Sequence, residues 1–174
     1  AKIPGTGYDT PGWNVVSSSG GLADVPAAES ATTIVADALL QVGAGARIEQ
    51  NGAARGIRLD AWNTLAVTDK VKMASGGAVS AASAKSSIME DVAASGSVPA
   101  IVNRADASVV VAPAAELVSD GDMALGARSQ ANLHSQAAVD VYGLVGVAPE
   151  GTSIARFKGT NTVDIGAAAT LTSD

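Results

Sequence analysis

Residues 108–120 read SVVVAPAAELVSD, and residues 162–174, 54 positions later, read TVDIGAAATLTSD. Six of the 13 aligned positions are identical, and Ser/Thr, Val/Ile and Ala/Gly exchanges account for three more. The alanine identities are cheap in a chain this rich in small residues, whereas Val, Leu, Ser and Asp held in register are not. A third copy, LQVGAGARIEQN at residues 40–51, aligns without a gap with residues 109–120 and 163–174. Recurrence of one pattern along a chain indicates a repeat architecture, in which each unit buries its apolar face against the next.

The pattern itself names the unit. Apolar residues recur at Val42, Val111 and Ile165 and again at Ile48, Leu117 and Leu171, the expected repeat core. The first half alternates with period two, which favours a half-buried strand. Small residues in the middle suit a tight corner. The copies end in Asn51-Gly52 and Asp120-Gly121, which are turn signals, with Asp174 in the equivalent place of the third copy. A second alternating pair follows the turn, Ile57 with Leu59 and Met123 with Leu125. Strand, corner, short strand, glycine turn and strand make one coil of a β-solenoid. The expected fold is therefore all-β, a parallel β-helix over residues 27–174, with motif copies at 40–52, 109–121 and 163–174.

The aligned copies start at Leu40, Val109 and Val163. With coils of about 20 residues, each interval holds about three coils and the chain about seven or eight. At about 4.8 Å per strand, that is a rod of about 35 Å. Alanine is the best helix former, so short helical excursions are allowed at residues 35–40 and 83–94; no segment sustains the 3.6-residue stripe of a longer helix. Residues 1–26, with Pro4, Pro11, Pro26 and the Ser17-Ser18-Ser19-Gly20-Gly21 run, depart from the repeat and read as a loop, cap or connecting segment.

Composition agrees with a thin layered interior: 47% of residues are hydrophobic but only 3% aromatic, leaving Val, Ile, Leu and Ala to fill each layer. A net charge of -6 with no basic cluster argues against nucleic acid as a partner. The apolar runs are too short to make a membrane-spanning helix. Without a single Cys the chain has no disulfide, thiolate chemistry or cysteine-based metal site.

Candidate chemistry is sparse. His134 is the only histidine, and no Gly-x-Ser-x-Gly elbow accompanies it. Asp120-Gly121-Asp122 lacks the spacing of a calcium loop and reads as a turn. Glu90, Asp91, Arg104 and Asp106 are the charges from which a glycan-active groove would be built, but they do not recur on successive repeats. No catalytic residue, cofactor or metal is expected. The outward positions are Gln41, Arg47 and Glu49 in the first copy and Asp164, Thr170 and Thr172 in the third, a solvated face. In the second copy they are Val110, Glu116 and Val118. Val110 and Val118 form a candidate strip for lateral contact.

The pattern Val-x-Ile-Gly-Ala-x-Ala-x-Leu-x-Ser-Asp, continued at residues 121–127 as GDMALGA, resembles the repeats of filamentous haemagglutinin-type giant adhesins, in particular the leukotoxin-like filamentous adhesin family. The resemblance covers about a third of the chain. It implies an exported, surface-displayed, right-handed parallel β-helix of a Gram-negative bacterium. The expected role is then a non-enzymatic structural and adhesive segment of an extracellular filament. Its expected partners are further coils end to end, from a longer chain or from other copies, and host or neighbouring cell surfaces or their glycans. The alternative is a β-helical glycan-binding or glycan-cleaving module of tailspike or lyase type. Because the third copy stops at Asp174, the chain is expected to be a piece of a longer polypeptide or a subunit stacked on another.

Overall fold

A computed structural model of the chain describes residues 13–52, 55–91, 93, 102–146 and 148–173. They form twelve strands and, among the described residues, no helix. The strands are β1 (Val15–Asp24), β2 (Ala27–Thr32), β3 (Val35–Val42), β4 (Arg47–Gln50), β5 (Ile57–Ser80), β6 (Ser83–Ile88), β7 (Arg104–Val111), β8 (Glu116–Ser119), β9 (Met123–Gly146), β10 (Glu150–Ala155), β11 (Asn161–Ile165) and β12 (Thr170–Ser173). They assemble into four three-stranded sheets ordered β1-β5-β9, β2-β6-β10, β3-β7-β11 and β4-β8-β12. All pairings with a given register are parallel. The chain thus visits the same four sheets in the same order three times, once per rung, which is consistent with the winding of a β-solenoid.

The repeat copies are direct ladder neighbours. Val42 pairs with Val111, which pairs with Ile165; Ile48 pairs with Leu117, which pairs with Leu171. The interval between copies is therefore one rung and not three coils, and the described strands make three rungs rather than seven or eight. The coil length expected from the repeat is too short because each rung holds four strands, one of them, β5 or β9, 24 residues long.

The unequal spacing has a local cause. Val15 pairs with Val71 and Ala28 with Ala84, offsets of 56, whereas Val42 and Val111 are offset by 69. The excess falls between β6 and β7, where the chain runs from Ile88 to Arg104 before re-entering the ladder; the equivalent step from β2 to β3 goes from Thr32 to Val35.

Two further expectations change. Where it is described as regular, the sequence allowed as helical is strand: residues 35–40 lie in β3, and of residues 83–94 Ser83–Ile88 is β6, residues 92 and 94 lying outside the described residues. Rung-to-rung hydrogen bonds satisfy the backbone groups along these strands, and that ladder outweighs alanine's intrinsic preference. Within the segment expected to depart from the repeat, β1 is a ladder strand on β5; residues 1–12 lie outside the described residues.

The strands gather into two compact units, one of Ala1–Thr33, Ala66–Asn103 and Asn132–Phe157, the other of Ile34–Leu65, Arg104–Ala131 and Lys158–Asp174. The second unit carries the repeat. Its interior is mostly apolar: Val42, Ile57, Val111, Ala115 and Leu117 cluster with Leu40, Ile48, Leu59, Met123 and Leu171 around them, Ala61, Ala107 and Val109 continue the layer, and Asn63 and Ser119 are its buried polar side chains among the described residues. The first unit packs Val71, Met73, Ala82 and Ala84 with Val15, Ala28, Val139 and Val141, and adds buried polar groups, among them Asp24, Asp69, Ser75 and Ser86.

The expected corner in the middle of each motif is a type II turn. Ala46, Ala115 and Ala169 donate their N–H to the carbonyls of Gly43, Ala112 and Gly166, three residues back, at 3.1, 3.2 and 3.1 Å. The third turn residue is left-handed in each: Gly45 at φ 66°, Ala114 at 58° and Ala168 at 58°. Positive φ at that place alone defines type II, and Pro113 occupies the place before it, where its fixed φ fits. This geometry turns the central peptide along the stacking direction. Gly45 N–H accordingly donates to Pro113 O at 3.2 Å, and Ala114 N–H to Ala167 O at 3.1 Å. The corner is itself a rung-to-rung ladder, which explains why alanine is held where glycine is favoured.

Candidate functional site

The outer surface is where chemistry would be presented, and many of its charges are engaged with one another. In the repeat-bearing unit, Arg47 bridges Glu116 on the next rung and Glu49 on its own at 3.0 Å. Arg104 donates to both oxygens of Asp37 on the preceding rung, at 2.8 and 3.0 Å, and lies 3.6 Å from Asp106. Arg128 stacks 5.1 Å above the Trp62 ring and lies 3.8 Å from Asp60. In the other unit Lys85 joins Glu29 at 3.2 Å and Glu90 at 2.9 Å, and Lys72 joins Asp140 at 3.0 Å. Opposite charges on neighbouring rungs favour one register over a slipped one.

Proton affinities follow these pairs. The guanidinium of Arg104, chiefly by hydrogen bonding, holds the Asp37 carboxyl below its ordinary value against the opposing effect of burial. Hydrogen bonding to Lys85 does the same for Glu90. Lys72 is raised by Asp140, and Lys85 by Glu90 and then Glu29. These groups are solvated, so the pairs set register more than they add stability.

The charges from which a glycan-active groove was considered do not converge on a shared centre. Glu90 sits on Lys85. Asp91 Oδ1 accepts the Asn103 N–H at 3.3 Å. Asp106 Oδ1 accepts the Thr160 N–H at 2.8 Å. A depression of about 500 Å³ on the β2-β6-β10 sheet is lined by Glu29, Lys85, Glu150 and Thr152, and its lysine is the one bridging Glu29 and Glu90. His134 is exposed on β9. No group of three or more potential metal ligands occurs among the described residues, and among them no helix is long and apolar enough to cross a membrane.

The repeat residues occupy paired positions on β3, β7 and β11 and on β4, β8 and β12. Val42 is 5% exposed and Val111 and Leu117 are fully buried, with Ile48 and Leu171 half-buried beside them. Ile165, at the equivalent place on the third rung, is 49% exposed. At the turns, Gly52 has φ 110° and its N–H donates to Asp120 Oδ2 at 2.7 Å, tying Asn51-Gly52 of the first rung to the second. Gly121 is buried, its N–H held by Ser119 Oγ at 3.2 Å. Asp174 lies outside the described residues. Val110 and Val118 are half-buried and belong to different sheets, β7 and β8, on either side of the 112–115 turn. Val110 stands between Gln41 and Asp164, and Val118 between Glu49 and Thr172.

The arrangement that pattern reading missed lies inside the first unit. Asp69, fully buried, accepts from Ser30 Oγ at 2.6 Å, Thr32 Oγ1 at 3.4 Å and Ser86 Oγ at 2.8 Å. Ser86 Oγ in turn meets Ser135 Oγ at 2.8 Å. These hydroxyls come from all three rungs. Asp24, 8% exposed, accepts from Ser19 at 2.6 Å and Ser75 at 2.7 Å, which lower its proton affinity against burial. The carboxylates are closed off from substrate and act as internal staples. A legible trace existed: Ser-Gly-Gly occurs at 19–21 and again at 75–77, the same offset of 56 that pairs β1 with β5.

No family model, curated protein or solved structure matches this chain significantly.

Proposed function

We propose that the chain is a structural and adhesive segment of a long bacterial surface filament, non-enzymatic and extracellular, wound as a right-handed parallel β-helix of the filamentous haemagglutinin type. The observation that supports this reading most directly is the in-register stacking of the three motif copies, whose inward residues make one continuous apolar column and whose corners hydrogen-bond from rung to rung. Such a body grows by adding rungs, and its backbone ladders run along the direction in which a filament bears load. Right-handed winding accords with the strong preference of parallel strand crossovers. Several surface charges pair across rungs instead of converging on one centre, which suits contact with another surface better than bond cleavage.

Immunogold labelling of the producing cells with antibodies to this chain tests the reading. Gold along surface filaments is the expected result. Label confined to the cytoplasm would overturn it, and so would release of reducing ends from cell-surface oligosaccharides by the purified chain.

A further inference from the structure

The turn that closes the first motif holds the parts of a reaction. Asn51 is followed by Gly52, and none of the other five asparagines, Asn14, Asn63, Asn103, Asn132 and Asn161, precedes a glycine. An asparagine carboxamide and the next backbone nitrogen are already joined by the chain, so their encounter is intramolecular and needs only a rotation. What decides whether they react is room at the nitrogen, freedom of the carboxamide and a base for the N–H.

The first rung supplies all three. Gly52 stands at φ 110°, a conformation that glycine adopts without strain, and the atom nearest to where a Cβ would stand is Gln50 Nε2, at 3.9 Å. The nitrogen is therefore unscreened. Gly52 itself is held in place, its carbonyl accepting from Gln50 Nε2 at 2.9 Å and from the Arg55 N–H at 3.1 Å. Asn51 is exposed and lies just past the last paired residue of β4, Gln50. The side-chain bonds of this turn among the described residues are made by Gln50, Ser119 and Asp120, not by Asn51, so its carboxamide is free to rotate.

The base comes from the next rung. Asp120 Oδ2 accepts the Gly52 N–H at 2.7 Å, inside the roughly 2.6–3.2 Å reach of a general base. The proton lies in the peptide plane, whereas the nitrogen attacks from the face of that plane. The carboxylate thus takes the proton without standing in the carboxamide's way.

We infer that Asn51 is a self-modification site, at which Asp120 promotes attack of the Gly52 nitrogen on Asn51 Cγ. The N–Cγ bond forms as the proton passes to Asp120; the Cγ–Nδ2 bond then breaks, and Nδ2 takes up that proton and leaves as ammonia. Water opens the resulting succinimide at either carbonyl, giving aspartate or isoaspartate at position 51. Aspartate is what the second and third copies carry at the equivalent place, Asp120 and Asp174, so the turn accommodates that product. Isoaspartate lengthens the backbone by one carbon and draws the Gly52 N–H away from Asp120. Either product adds a negative charge beside Asp120, and like charges on neighbouring strands repel. The inference goes beyond the filament reading and does not depend on it.

The experiment is a time course on the purified chain, its fold checked by circular dichroism, with trypsin digestion in mild acid and mass spectrometry of the peptide of residues 48–55, IEQNGAAR. Conversion of the position 51 amide to acid, as both isomers, is expected, with the other five asparagines unchanged. Asp120→Asn keeps an oxygen to accept the Gly52 N–H but removes the base, and is expected to slow the conversion at least about tenfold. In that variant the rate should rise in proportion to hydroxide, whereas in the wild type it should rise less steeply between about pH 5 and pH 7. Asp120→Glu, which returns a carboxylate, is expected to recover part of the rate. Any change at residue 120 itself falls in the separate peptide 105–128.

An Asn51 that stays unmodified overturns the inference. A rate unchanged or raised by Asp120→Asn means that the carboxylate does not promote the attack, and overturns it as well, as does a wild-type rate proportional to hydroxide over the whole range. None of these outcomes bears on the filament reading, which stands or falls on the labelling of cells.

Discussion

The two units solve the same stacking problem with different interiors. In the repeat-bearing unit each layer is closed by branched apolar side chains, Val42 on Val111 and Ile48 on Leu117. In the other, Val71 and Met73 share the interior with Asp69, Asp24, Ser75, Ser80 and Ser86, all nearly or fully buried. An apolar column is stabilised by area removed from water, and because that gain is non-directional it tolerates a two-residue slip that keeps the apolar face inward. A buried carboxylate stapled by hydroxyls from several rungs costs more to bury and accepts only the register in which its partners are present. One interior supplies stability, and the other specifies alignment.

The sharpest way to break that contrast is to hollow each interior. Leu117→Ala removes a fully buried side chain from the middle rung and is expected to cost about 2–5 kcal/mol. Leu171→Ala, half-buried at the same position one rung on, is expected to cost less than half as much. Urea denaturation of both variants measures the difference. Equal losses would mean that the third rung is packed as fully as the second.

Asp69→Ala should cost less, about 1–3 kcal/mol, because it takes the carboxylate from the Ser30 hydroxyl and leaves Ser86 Oγ only the residue 69 carbonyl and Ser135. If the staple specifies register, adding Ser30→Ala and Ser86→Ala to Asp69→Leu should recover most of the stability while widening the unfolding transition. Recovery with an unchanged transition would leave the staple with no role in alignment.

This contrast also decides what could be read from the sequence. The repeat-bearing unit was legible because apolar residues at a strict spacing leave a period-two trace, and aligning the copies gives the ladder register directly. Rung length was not, since the longer connection between β6 and β7 makes the offsets 69 and 54 where the first strands are offset by 56. The first unit escaped pattern reading because its inward residues are small or polar: Ser75, Ser86 and Asp69 resemble the outward face of an ordinary strand. Residues 35–40, allowed as helical, lie within β3. Only their partners on other rungs fix them as strand. For the surface, the candidate strip of Val110 and Val118 was legible as outward-facing, but not as split between two sheets, because the type II geometry of the corner depends on backbone angles.

The corner offers a smaller, opposite test. An L-residue in the left-handed region costs about 1–2 kcal/mol, against about 0.5–1 kcal/mol of extra chain entropy lost when glycine folds. Ala114→Gly is therefore expected to stabilise by up to about 1 kcal/mol, and Gly45→Ala to destabilise by a similar amount, in thermal unfolding. The opposite sign at Ala114 would mean that the ladder bonds at that corner hold the backbone without strain.

The smallest effect is confined to acid, and it separates the units by titration. Ser19 and Ser75 hold the Asp24 carboxyl below its ordinary 3.8 in the folded chain. A carboxyl so lowered contributes stability that is present in full above the unfolded value, near pH 4, and is lost as pH falls through the folded one. Between about pH 5 and pH 2.5 the melting temperature of the wild type should fall by more than that of Asp24→Asn, which has no proton to take up at this position. Asp37, lowered chiefly by its hydrogen bonds to Arg104, lies on the solvated face of the other unit, where salt screens its partner. Its share of the acid loss should shrink in about 0.5 M salt, while that of Asp24, owed to hydroxyl donors inside the protein, should persist. If salt abolished both alike, the Asp24 staple would be acting as a surface charge, and the distinction between an interior that specifies alignment and one that supplies stability would fail for that residue.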